Sequence, residues 1–327
     1  MFDLPSVLTA QEVLDKAFGR ASKATAKGVN RAARTRNLAA AKTRIAGSTI
    51  EATLHGYVKA FPSIDRLPPF YRELVDLLAD RGRLKRHLGA LDWAADKARA
   101  ISRDYVRRIG KAAPKDVPAL RREAFGRLSS LVHQIGADLD AMTDARRALR
   151  RIPIVDPEIP TLVVAGFPNV GKSSFVRSAS SGRPKVADYP FTTTTISLGH
   201  FERGVRRYQI LDTPGLLDRP LAKRNPMERQ AIAALAHLAD GVIFLLDPTE
   251  TGGYPVEDQK RLLAEVRALF PDAPIEVVEN KADLGGADLG HPKVSSLTGA
   301  GVREAVDALL GRLTSRDPGG APRSEGP

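Results

Sequence analysis

The sequence predicts an all-α helical bundle followed by a doubly wound α/β domain with a mostly parallel sheet. Three observations carry that prediction. Gly166-Phe167-Pro168-Asn169-Val170-Gly171-Lys172-Ser173 matches G-x-x-x-x-G-K-[ST], a phosphate-cradling loop. After it, short apolar runs alternate with helical ones, as in parallel α/β sheets. Before it, residues 1–150 show long apolar repeats at helical spacing, interrupted by prolines.

Composition bounds the rest. The 327 residues suffice for two cores. Cysteine is absent, which excludes disulfides and thiolate metal sites. No apolar run approaches the roughly 18 residues of a membrane span. The first 25 residues carry Asp3, Glu12 and Asp15 and lack a signal-peptide core. A soluble, cytoplasmic protein is expected, monomeric when free. The net charge of +12 is uneven: residues 1–150 hold 29 Lys and Arg against 16 acids, and residues 151–327 hold 21 against 22. A polyanion partner for the first part follows from that asymmetry.

The first helix is expected to open at Thr9, with Glu12 closing a capping box. Val13, Leu14, Ala17, Phe18 and Ala21 form its apolar face. From Lys16 to Ile50 there are nine Lys or Arg and no acid. Lys16, Arg20, Lys23, Lys27, Arg31 and Arg34 recur every three or four residues. On one helix they would share a face over roughly 27 Å. These six are the candidate RNA-binding residues, reading phosphates rather than stacking on bases because few aromatics are interleaved. Like charges at this spacing destabilise an isolated helix, so weak order without an anion is expected.

Residues 61–70, with Pro62, Pro68 and Pro69, read as a connector. One helical pattern then runs from Leu84 to Ile109 and another from Leu120 to Leu149, separated by Pro114 and Pro118. His87, Trp93, Tyr105 and His133 read as packing residues. Pro153, Pro157 and Pro160 punctuate the passage into the second domain. The expected domains are 1–155 and 156–315, with a disordered tail over 316–327.

In the second domain, Thr161–Ala165 reads as a buried strand leading into the phosphate loop. Residues 208–211, 241–246 and 275–279 read as further strands, and 226–238, 256–270 and 302–313 as helices. Lys172 would reach the β- and γ-phosphates, while backbone N–H groups from Asn169 to Ser174, Val170 and Gly171 included, line the cradle. The Ser173 hydroxyl would ligate Mg2+. Asp212-Thr213-Pro214-Gly215 follows a strand, so Asp212 can hold the Mg2+ shell and the Gly215 N–H can meet a γ-phosphate. Thr193, within Asp188-Tyr189-Pro190-Phe191-Thr192-Thr193-Thr194-Thr195, is the favoured further Mg2+ ligand among four neighbouring threonines. Lys172, Thr193 and Gly215 are the candidate catalytic groups.

Asn280-Lys281-Ala282-Asp283 also ends a strand. Read as a buried acid, Asp283 would accept the two N–H donors of guanine and reject adenine, which would leave it unpaired. Lys281 would pack its stem on the base and Asn280 would tie this loop to the phosphate loop. Val294-Ser295-Ser296 completes the base site, with the Ser296 N–H offered to guanine O6.

Together these residues resemble a translation-factor-class GTPase of the Obg-like group. Tyr189-Pro190-Phe191-Thr192-Thr193 and Asp212-Thr213-Pro214-Gly215-Leu216-Leu217-Asp218-Arg219-Pro220 carry the likeness. The run continues into Arg224-Asn225 and Glu228-Arg229-Gln230-Ala231-Ile232, and with the basic helical N-terminus it is similar to the nucleolar GTP-binding protein (Nog) family. The resemblance implies an α/β P-loop GTPase domain behind a helical bundle. It implies a GTP/GDP switch in large ribosomal subunit assembly whose N-terminal helices meet ribosomal RNA. Eukaryotic members carry long extra C-terminal regions, so a short, archaeal form is expected.

Ras-type enzymes place a water-orienting glutamine after D-x-x-G. Leu216 occupies that position here, so slow intrinsic hydrolysis is expected. Asn169 matches the asparagine of potassium-activated GTPases and is the candidate K+ ligand. Residues 185–200 and 212–230 are the expected switch segments. The competing reading is a soluble GTPase switch or scaffold acting on a protein or an acidic membrane.

Overall fold

A computed structural model describes residues 4–152, 155–188, 195–220 and 224–314. The threonines Thr192, Thr193 and Thr194 and the tail expected over 316–327 lie outside the described residues. The chain forms two compact units, one of residues 1–66 and 78–150, the other of residues 67–77 and 151–327.

The first unit is built from helices α1 (Ala10–Ser22), α2 (Arg31–Ala60), α4 (Arg81–Lys111), α5 (Val117–Gln134) and α6 (Gly136–Leu149). The capping box at Thr9 is formed: its N–H donates to Glu12 Oε2 at 2.8 Å, and the Glu12 N–H donates back to Thr9 Oγ1 at 3.3 Å. Ile50 and Leu54 of α2 and Leu91, Ala95 and Ala98 of α4 are buried. At Gly47 the two helices approach so closely that a Cβ would sit 2.3 Å from Ser102 Cβ.

The single basic helix expected from Lys16 to Arg34 does not form. α1 ends at Ser22, Lys23 caps it, and α2 begins at Arg31. Asn30 causes the restart, because its Oδ1 accepts the Ala33 N–H at 2.8 Å and so caps α2. Asn37 Nδ2 then donates to the Lys27 carbonyl at 2.8 Å and folds the loop back. Lys16 and Arg20 therefore sit on α1, Lys23 and Lys27 on the cap and loop, and Arg31 and Arg34 on α2. The expected helix over Leu120–Leu149 is likewise two, broken at Ile135–Gly136. Of the expected packing residues, Tyr105 is buried, whereas Trp93 is 43% exposed.

In the second unit, helix α3 (Pro69–Ala79) occupies part of what reads as a connector. Pro69 opens it, where a missing N–H costs nothing. Phe70, Tyr71, Leu74 and Val75 are its buried face. The Tyr71 hydroxyl accepts the Val155 N–H at 2.9 Å and donates to the Val155 carbonyl. Burial pushes the Tyr71 pKa up to about 12.

The sheet comprises β1 (Thr161–Ala165), β2 (Lys185–Asp188), β3 (Thr195–Arg203), β4 (Arg206–Asp212), β5 (Gly241–Leu246) and β6 (Ile275–Glu279), in the order β2-β3-β4-β1-β5-β6. β1 pairs in parallel with β4 and β5, and β5 with β6, while β3 is antiparallel to both β2 and β4. Helices α7 (Lys172–Ala179), α8 (Pro226–Ala236), α9 (Val256–Leu269) and α10 (Val302–Thr314) complete the unit. β1 and β5 are buried along their whole length, as central parallel strands must be. The chain leaves β1 between β4 and β5, which is the crevice where open α/β sheets bind ligands.

Candidate nucleotide site

The phosphate loop, Asp212 and Asn280 each stand at or after the carboxyl end of a parallel strand, while Ser295 and Ser296 follow an isolated parallel bridge at Lys293. From β1 the loop 166–171 turns into α7. Gly171, at φ 101°, fits the turn without a Cβ, which would lie 2.3 Å from Asn280 Nδ2. The Lys172 ammonium is buried and donates to the carbonyls of Gly166 at 2.7 Å and Phe167 at 2.8 Å. Burial pushes its pKa down, with Asp218 and Asp212 acting against that shift. Asn169 stands at φ 62°, in the left-handed region that asparagine tolerates better than most residues.

From β4 comes Asp212, 1% exposed, whose Oδ2 accepts the Ser173 hydroxyl at 2.5 Å. Its Oδ1 is buried with no hydrogen-bond partner among the described residues. Burial raises its pKa, opposed by the Ser173 hydrogen bond and by Lys172. An orphaned carboxylate oxygen beside a hydroxyl is a hard-oxygen donor set that fits Mg2+. The Gly215 N–H donates to Asp218 Oδ2 at 2.6 Å, so the amide expected to meet a γ-phosphate already has an anionic acceptor. Leu216, in the place of a water-orienting glutamine, is 1% exposed.

From β6 comes Asn280, 1% exposed. Its Nδ2 donates to the Val170 carbonyl at 2.7 Å and its Oδ1 accepts the Ser296 N–H at 2.9 Å. The phosphate loop, the 280–283 loop and the 295–296 loop thus meet through one side chain. Two expectations need correction. Asp283 is exposed rather than buried, with its Oδ1 accepting the Ser295 hydroxyl at 2.5 Å, because it points out of a short 3-10 turn. The Ser296 N–H is taken by Asn280 rather than open to a base.

Sequence reasoning missed Asp247, which is fully buried at the end of β5. It accepts Lys281 Nζ at 2.7 Å, the Gly252 N–H at 3.0 Å and the Thr249 hydroxyl at 2.5 Å. Burial alone would raise its pKa, but these bonds outweigh it and hold the carboxyl below its ordinary value. The signal was present: like Asp212, Asp247 is an acid directly after an apolar strand. His237 is exposed, and its Nε2 lies 2.8 Å from Glu73 Oε1.

Residues 2–156 match the NOG1 N-terminal helical domain, residues 226–283 match nucleolar GTP-binding protein 1 (NOG1), and residues 160–251 match ferrous iron transport protein B. An uncharacterised protein of Methanocaldococcus jannaschii is 36% identical over 286 residues, spanning 86% of this chain and 80% of that protein. Nucleolar GTP-binding protein 1 of Saccharomyces cerevisiae is 33% identical over 287 residues. The chain belongs to the nucleolar GTP-binding protein 1 family. It spans 44% of the length of the yeast member and 41% of that of Caenorhabditis elegans, which is 35% identical. The G domain of the T. maritima FeoB iron transporter is similar in structure, with 25% identity, a TM-score of 0.39 and coverage of 48% of this chain and 99% of that one. By the family matches and the sheet order, the second unit is a P-loop GTPase fold with a mixed sheet, and the family's N-terminal helical domain precedes it in the chain. No helix among the described residues is long and apolar enough to cross a membrane.

Proposed function

We propose that the chain binds and hydrolyses GTP as a switch in large ribosomal subunit assembly, meeting ribosomal RNA through its basic N-terminal helices. The observation that carries the nucleotide reading is the Asn280 side chain, which joins the 280–283 loop to the phosphate loop at Val170. A bond between those two loops supports a site in which Lys281 and Asp283 read the base while the phosphate loop grips the phosphates. The name of the yeast and nematode relatives, nucleolar GTP-binding protein 1, supports the same ligand and a ribosome-building partner. In this chain a cytoplasmic setting is proposed.

The chain's own groups account for the steps. The Lys172 ammonium exchanges its carbonyl partners for phosphate oxygens. The backbone N–H groups of Asn169 to Ser174 point inward and neutralise the phosphate tail. Ser173 and Asp212, with Thr193 as a further ligand, would hold Mg2+, which when bound neutralises charge on the β- and γ-oxygens. Asp283, exposed in the free chain, pairs with the guanine N1–H and N2–H2 donors, a pair that adenine does not offer. Leu216 offers water no polar atom, so unaided hydrolysis is slow and an added group, such as K+ held by Asn169, raises it. The Gly215 N–H reports the γ-phosphate to residues 212–230, and Thr193 reports it to residues 185–200.

The test is co-sedimentation with ribosomal subunits under GTP, GDP and a non-hydrolysable analogue, preceded by GTP-against-ATP competition. Nucleotide-dependent co-sedimentation and guanine preference are expected. Equal uptake of ATP, or indifference to subunits, would overturn the proposal.

A further inference from the structure

A pocket of about 330 Å³ opens on the first unit between α1, α2 and α5, lined by Phe18, Ser22, Lys42, Arg121, Arg122 and Phe125. Phe18 and Phe125, far apart in sequence, stack almost parallel, with ring centroids 4.7 Å apart and planes inclined by 6°. Both rings are only partly buried, whereas Val13, Leu14 and Ala17 on α1 and Ala124 and Leu128 on α5 are fully buried and already supply the core between helices. Helix packing accounts for those residues but leaves open why two flat rings stay at the surface.

The cations around the rings sharpen the point. Lys42, Arg121 and Arg122 have no ion pair among the described residues. Some cations of the same unit meet acids, as Arg99 does Glu51, Arg108 does Glu123 and Arg147 does Asp144, whereas these three, like Lys16, Arg20, Lys23, Lys27, Arg31 and Arg34, belong to its unpaired basic surface. Lys42 and Arg121 are partly buried and Arg122 is exposed, so their stems pack beside the rings while their heads stay open to an anion. A ligand that suits this pocket has a flat apolar ring joined to an anion. An unstacked nucleotide has both: the base extends the aromatic stack and the phosphate takes the guanidinium forks.

We infer that this pocket is a stacking site for one unpaired nucleotide of a bound RNA. The inference rests on the RNA-contacting reading of the N-terminal helices and adds base stacking to a surface that the sequence presents as phosphate-reading only. An acidic lipid headgroup would satisfy the cations but not the rings.

The probe is a short single-stranded RNA carrying 2-aminopurine, whose fluorescence falls when it stacks on an aromatic ring. With the full chain, binding and quenching are expected. Phe18→Leu together with Phe125→Leu keeps apolar bulk but removes the rings. It should abolish quenching and weaken binding about fivefold or more, the loss of one stacked base. Ser22→Glu, at an exposed helix end, puts a carboxylate beside the pocket and should repel the phosphate and abolish quenching without touching the core, which covers the case where the double leucine variant fails to fold. RNA binding by the unaltered chain that neither variant changes would overturn the stacking site alone. No RNA binding, with uptake instead on phosphatidylserine vesicles, would overturn the parent reading and the site together.

Discussion

The Asp218 carboxylate stands between two partners, accepting the Gly215 N–H at 2.6 Å through Oδ2 and the Arg224 guanidinium at 3.0 Å through Oδ1. Under the proposed function the Gly215 N–H meets a γ-phosphate, which GDP lacks, so Asp218 would compete with triphosphate and not with diphosphate. Asp218→Ala should raise the affinity for a non-hydrolysable GTP analogue relative to GDP by about fivefold, the worth of about 1 kcal/mol of freed hydrogen bond. Titration with fluorescent nucleotides gives the ratio, and an unchanged ratio would show that Asp218 withdraws at no cost.

The second contact matters for stability. The Arg224 side chain is 0% exposed and donates also to the Gly215 and Leu216 carbonyls. Burial, with Arg219 nearby, pushes its pKa below the ordinary value, and Asp218 counters that shift. Removing the acid strands a buried charge, so Asp218→Ala should cost about 3 kcal/mol or more in urea unfolding. Asp218→Ala combined with Arg224→Leu should be less destabilised than Asp218→Ala alone. A double variant at the sum of the two single costs would refute the pairing.

Under the proposed function, in which Lys281 packs on the base, Asp247 serves the base side of the site. It fixes the Lys281 ammonium at 2.7 Å and so sets where the lysine stem lies. Asp247→Asn keeps the shape but weakens that hold, and a charge-assisted bond is worth about 1.5–3 kcal/mol. GDP and GTP affinities should fall together, by about tenfold, with their ratio unchanged, because the base and not the phosphate tail is affected. Stopped-flow dissociation rates for the two nucleotides provide the comparison.

How much of this was legible in advance depended on whether a signal was local. The strands β1, β5 and β6 and the loop that turns from β1 into α7 were legible because each signal sits in consecutive residues. β1 and β5 are moreover continuous apolar runs. Helix α3 was not, because Pro68 and Pro69 punctuate a connector and open a helix with equal ease. The break at Asn30 was lost to the charge periodicity, although a capping residue outweighs a spacing of like charges. Asp218 and Arg224 stand in the runs that carry the family likeness, but residue order alone does not show that they pair. The role of Asp247 arises from a contact between loops, with Lys281, and the stacking of Phe18 on Phe125 from one between helices.

Asn169 has two explanations that one pair of variants separates. Its φ of 62° suits a turn by itself, and its side-chain oxygen suits a cation. Asn169→Gly keeps the backbone and removes the oxygen, so nucleotide affinity should hold while the gain in hydrolysis from K+ over Na+ disappears. Asn169→Ala should lose both, because alanine pays for the left-handed turn. Single-turnover hydrolysis in matched K+ and Na+ buffers decides, and equal rates for the unaltered chain in the two salts would discard the cation role.

The broken stripe changes what charge neutralisation should do. Lys16, Arg20, Lys23, Lys27, Arg31 and Arg34 are all exposed, and none forms an ion pair among the described residues. They are free to meet phosphates, but from two helices and a loop rather than from one line. Each phosphate contact adds nearly one to the slope of log affinity against log salt. Arg31→Gln with Arg34→Gln removes the pair at the start of α2 and should lower that slope by about two. Lys16→Gln with Arg20→Gln tests α1 separately. If one helix carries the RNA, only one double variant will change the slope; if the α1–α2 corner is the contact, both will. An RNA titration series in rising KCl with unaltered slopes for both variants would remove these cations from the interface.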